Sequence, residues 1–80
     1  MNFTTAGIER EIERIQNKVI QIRAAVDMTE RTISKEIESG DMFPLRFASL
    51  QEIIANHNET IQHLNAVMFH LNALKGKFGK

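Results

Sequence analysis

The sequence predicts an all-α fold, a two-helix antiparallel hairpin of coiled-coil type, and three observations carry that reading. Leu50, Ile54, His57, Ile61, Leu64, Met68 and Leu71 recur at alternating steps of four and three, which keeps them on one seam of a helix. Ile8, Ile12, Ile15, Val19, Ile22, Val26, Thr29 and Ile33 do the same in the first half of the chain. Between the two seams stand Gly40 and Pro44, residue types that stop one helix and start another. Folding back near Gly40 pairs positions whose numbers sum to roughly 83. Ile33 then meets Leu50, Val26 meets His57, Val19 meets Leu64 and Ile12 meets Leu71, an a position against a d position in each layer.

Helix 1 is expected over about residues 7–39. Thr5 or Gly7 is the candidate cap, and Glu9, Glu11 and Glu13 are placed toward the positive helix end. Without an internal Gly or Pro it runs for about 48 Å at 1.5 Å per residue, a length that suits a coiled coil. The turn occupies about residues 40–43, where Gly40 supplies the left-handed C′ conformation and Asp41 opens the loop. Pro44 then favours a first helical turn, and helix 2 is expected over about 44–75. Gly76 and Gly79 end it, and a short basic tail follows over 76–80.

Eighty residues make one small domain, with a thin margin of buried surface. Ten basic side chains balance ten acidic ones, which points away from nonspecific nucleic-acid binding. The absence of cysteine rules out disulfides and thiolate metal sites. No signal-peptide pattern or membrane-length apolar run is present, so the cytoplasm is the expected compartment and no membrane partner is expected.

The two helices differ in what flanks their seams. Helix 1 surrounds its stripe with charge and amide, whereas helix 2 carries Ile53, Thr60, Val67 and Leu74 on one side of its seam, widening the apolar face. One partner helix cannot cover that width. A further helix is expected there, from a second copy or from another protein, so that the hairpin completes a four-helix bundle by dimerisation or with a partner helix. Phe69 stands away from the seam as a further partner anchor, and Phe78 belongs to the same interface set. Phe43 and Phe47 are expected to plug the turn end of the core.

His57, His63 and His70 titrate nearest neutrality, but their spacings of six and seven do not match the three or four that a metal site on one helix needs. His57 falls within the seam, where a polar residue can fix register, and His63 and His70 lie where an approaching helix would feel their protonation. Asn58, Asn65 and Asn72 repeat every seven residues on the other flank, a candidate ladder for a polar ligand. The sequence holds no phosphate loop, acid pair or nucleophile signature, and a two-helix hairpin encloses no pocket, so no catalysis and no cofactor are expected.

In layout the chain is similar to plasmid RNA-binding hairpin dimers and to the cytosolic needle-subunit chaperones of type III secretion systems, a similarity of architecture that carries no function across. The leading expectation is a nonenzymatic interaction module, a small adaptor, chaperone or inhibitor that presents the wide face of helix 2. Its alternatives are an oligomeric regulator binding a small ligand or nucleic acid between protomers, and a purely structural oligomer.

Overall fold

The computed structural model describes residues 4–78, without the Phe78 side chain. Within them the chain forms two helices, α1 (Thr5–Glu38) and α2 (Pro44–Phe78), packed against each other as an antiparallel hairpin with no strand among the described residues. The hairpin is a rod of 59 × 18 × 15 Å. Its radius of gyration is 17.8 Å, against about 12 Å for a compact chain of this length.

Each helix end follows from its local chemistry. At the start of α1 the cap is Thr4, one residue before the earlier of the expected candidates. Its backbone is extended and its hydroxyl oxygen accepts from the Gly7 N–H at 3.0 Å. Glu9, Glu11 and Glu13 consequently lie beyond the first turn, which contains no acidic residue. At the other end Ser39 caps the helix, and Gly40 follows at φ +75°. The Gly40 N–H donates to the Ile37 carbonyl and the Asp41 N–H to the Glu36 carbonyl, the paired bonds of a Schellman stop. Pro44 opens α2, and the Phe43 carbonyl accepts its first bond from the Phe47 N–H. The helix then passes through Gly76 and is helical as far as Phe78, the last described residue, beyond the expected Lys75. A single glycine costs about 1 kcal/mol in a helix, too little to break one that is otherwise well formed.

The expected register is the one adopted. Ile15, Val19 and Ile61 are buried together, with Ile22, Leu64, Val67, Met68 and Leu71 packed against them. This group contains the Val19–Leu64 layer and its neighbours Ile15 with Met68 and Ile22 with Ile61. Two ion pairs cross between the helices, Glu9–Lys75 at 3.1 Å near the open end and Glu36–Arg46 at 2.7 Å near the turn. They stand one residue to either side of that register and clamp both ends of the rod.

The core is thin, since among the described residues only Ile8, Ile15, Val19, Ile33 and Ile61 are buried. Midway along the seam, Val26 and His57 are both half-buried, so the apolar contact narrows where the polar ring enters it. Thr29, also in the seam, turns its hydroxyl back to the Ala25 carbonyl and leaves its methyl for packing.

Two glycine substitutions should separate turn from helix. Gly40→Ala forces a left-handed conformation on a residue with a Cβ and should cost about 1–2 kcal/mol. Gly76→Ala, where an added Cβ meets open space, should gain up to about 1 kcal/mol. Chemical denaturation of the two variants checks both signs.

Candidate interaction surfaces

The apolar flank of α2 is divided by the fold. Ile53 and Thr60 are exposed, whereas Val67 and Leu74 are half-buried and Val67 packs against the core cluster. The flank is therefore not wholly left over when the hairpin closes. The core is thickest in the open half, around Ile15, Val19 and Ile61, and it draws Val67 inward there. Toward the turn the seam thins, and Ile53 stays in solvent at 44% exposure. The Thr60 hydroxyl donates to the Asn56 carbonyl at 3.0 Å, so this residue offers a methyl group to a partner.

On the opposite flank Asn58, Asn65 and Asn72 are all exposed, and among the described residues no side-chain hydrogen bond links them to one another. The amide repeat is a solvated edge of the hairpin. A shallow groove lies along this side of the open half, lined by Gln16, Asn17, Val19, Ile20, Arg23 and Met68.

The three histidines occupy different settings. His57 is half-buried in the seam, while His63 and His70 are exposed on the outer face. The His70 ring meets Phe69 edge-on, with centroids 5.8 Å apart and planes at 76°. That contact is the only aromatic pairing among the described residues, and Phe69 remains 72% exposed. No group of three His, Cys, Asp or Glu side chains able to hold a metal ion occurs among the described residues. No helix there is long and apolar enough to cross a membrane.

The turn end departs most from the sequence expectation. Phe43 and Phe47 do not plug the core: Phe43 is 70% exposed, and Phe47 also faces solvent. They do continue the α2 seam, as d and a positions ahead of Leu50. The register, however, sets Gly40 opposite Phe43 and Glu36 opposite Phe47, so α1 offers neither ring an apolar cover. Ile37 and Leu45 are exposed beside them, Leu45 at 85%. With Met42 and Pro44, these residues make an apolar tip with a shallow socket between Ile37, Phe43 and Phe47.

Glu36 closes the seam with a charge. Its Oε1 accepts from Arg46 Nε, which raises the Arg46 pKa above its ordinary value, while Oε2 is enclosed and has no hydrogen-bond partner among the described residues. On the outer face of α1, Arg14 donates to Glu11 and thereby lowers that carboxyl below its ordinary range.

Several exposed apolar residues carried no clear signal in the sequence. Ile20 and Met28 lie off the α1 seam among charged neighbours, and Ile37 and Leu45 adjoin the turn. Only the missing partner for Phe43 and Phe47, visible once Glu36 and Gly40 are paired with them, could have marked the tip. Phe3, Gly79 and Lys80 lie outside the described residues, as does the Phe78 side chain assigned to the interface.

No protein-family model matches this chain, and no curated protein or solved structure does so either.

The core and the outer face should respond differently to truncation. Ile61→Ala empties a buried position and should cost about 2–5 kcal/mol, whereas Phe69→Ala should change stability by less than about 1 kcal/mol. Thermal melts of the two variants decide between this assignment and one in which Phe69 belongs to the core.

Proposed function

We propose that this chain is a nonenzymatic protein-interaction module, a small adaptor, chaperone or inhibitor, that works by bringing a further helix or a second hairpin against its exposed apolar flank. One observation carries the reading. Among the described residues five apolar side chains are buried, while eight large ones, Ile20, Met28, Ile37, Phe43, Leu45, Phe47, Ile53 and Phe69, are exposed. Isolated exposed apolar residues are ordinary on any protein surface, but here they outnumber the core.

The accessible surface supports the same reading. It amounts to 6232 Å², against about 4,900 Å² expected for a compact monomer of 9.2 kDa. The excess, on the order of 1,300 Å², exceeds the roughly 800 Å² that each partner contributes to a standard stable interface. Lateral association of two hairpins into a four-helix bundle would remove surface on that scale, and it would cover Ile53 and Thr60 directly.

Ile53→Lys tests the flank without touching the buried core. Burying an isoleucine contributes about 1.5–3 kcal/mol, so the variant should keep its helicity yet associate at least about tenfold more weakly in sedimentation equilibrium. Wild-type protein sedimenting at the 9.2 kDa monomer mass at high micromolar concentration would overturn self-association as its mode of action.

A further inference from the structure

The charges of the hairpin are sorted by face. On the side of the seam that carries Ile53, Thr60, Val67 and Leu74, the register sets Thr32, Ala25, Lys18 and Glu11 of α1 across from them in that order. This pairing accounts for the division of the flank. Val67 and Leu74 stand across from long side chains and are half-buried, whereas Ile53 and Thr60 stand across from short ones and are exposed. The short pair leaves an apolar recess in the half of the rod toward the turn. Thr32 and Thr60 both turn their hydroxyls to their own helices, donating to the Met28 and Asn56 carbonyls at 3.0 Å, so both offer methyl groups. Met28, exposed, borders the recess one position further round α1.

The rim of this recess is basic. Next to the seam or one position further out on this side, α1 places Arg14, Lys18 and Lys35, and α2 places Arg46 and Lys77. The single acid at these positions is Glu11, which already holds Arg14. Arg46 is held by Glu36, while Lys18 and Lys35 are exposed and have no ion-pair partner among the described residues. These two lysines bracket the recess, about 25 Å apart along α1. Of the acids without an ion pair among the described residues, Glu38, Glu52 and Glu59 lie on the backs of the helices, Glu13 and Glu30 toward the amide flank, and Asp41 in the turn.

We propose that the occupant of this flank is an amphipathic helix of another protein, with an apolar stripe bordered by acidic residues. The proposal rests on the interaction reading above and chooses between its two occupants. A helix laid in the groove between two packed helices buries an apolar residue at every third or fourth position, and carboxylates bordering that stripe meet Lys18 and Lys35. A second copy docked by the same flank, as two-fold symmetry requires, brings an identical basic rim with Glu11 as its only acid. Self-association here works against like charge, whereas an acidic helix is drawn in. Docked by its amide flank instead, a copy sets Asn58, Asn65 and Asn72 against methyl groups, at a desolvation cost.

Two synthetic peptides test this on the full chain. Each has about 22 residues, the span from Ile53 to Leu74, with Ala and Leu on one helical face. The positions bordering that face are Glu in one peptide and Lys in the other, and the rest are Gln. Fluorescence anisotropy in about 50 mM salt should show the Glu peptide binding at least about tenfold more tightly than the Lys peptide. Ile53→Gln should weaken the Glu peptide several-fold. Lys18→Glu combined with Lys35→Glu should reverse the preference. Arg10→Glu combined with Arg23→Glu, which changes the net charge equally on other faces, should leave it in place. Equal or tighter binding of the Lys peptide, no effect of Ile53→Gln, or a preference that the two double variants move alike overturns the acidic-helix occupant. A chain that binds neither peptide but self-associates also overturns it, and leaves the interaction reading standing with a second copy as the occupant. A monomer that binds neither overturns both.

Discussion

The register in which Val19 meets Leu64 is the constraint from which the rest of the hairpin follows. It is held by apolar layers in the open half and by one ion pair near each end, Glu9–Lys75 and Glu36–Arg46. A slip of one heptad would move both pairs by about 10.5 Å and break them. It would also carry His57 away from Val26 and toward an isoleucine or valine a heptad along, in a seam that has few apolar layers to spare. Exposed ion pairs of this kind contribute little to stability, about 0–1 kcal/mol each. Their value here is positional, since they separate one register from the next while the apolar layers supply the attraction.

The thin core follows from geometry as much as from composition. Two helices share only one seam, so an a and d side chain has a neighbour on one side and solvent on the other. Most seam residues, Ile12, Ile22, Val26, Leu50, Ile54, Leu64, Met68 and Leu71 among them, are half-buried. Each such residue realises only part of the stabilisation that full burial gives, about 1.5–3 kcal/mol. A second hairpin would convert half-burial into burial along the whole rod without any new sequence feature, and this is the physical basis of the interaction reading.

Much of the fold was legible in the sequence because periodicity and chain stops are local signals. The two seams, the left-handed Gly40 and the Pro44 restart all appear where the residue types place them. The Thr4 cap and the run through Gly76 differ by small energies that a neighbouring residue can reverse. The surfaces were harder to read. Phe43 and Phe47 look like core residues until the register sets Gly40 and Glu36 across from them, and Val67 looks free until the local thickness of the core is known. Charge was the least visible of all. Cut at residue 40, the sequence gives two nearly neutral halves, and only the register sorts the same side chains by face, with the basic ones prevailing along the Ile53–Leu74 flank.

The tip shows how a single layer decides between a closed hairpin and an open one. The α2 seam continues for two more steps toward the turn, to Phe47 and then Phe43, but α1 answers with Glu36 and then stops at Gly40. An apolar residue at position 36 would cover Phe47 and shield the turn. The carboxylate instead binds Arg46 through one oxygen, and among the described residues the other is enclosed without a partner. Glu36 leaves Phe47 without an apolar cover, as Gly40 leaves Phe43, and both rings stay in solvent. The tip is therefore an apolar surface held open by the residues that α1 sets across from it, a charged pair at one layer and a glycine without a side chain at the next.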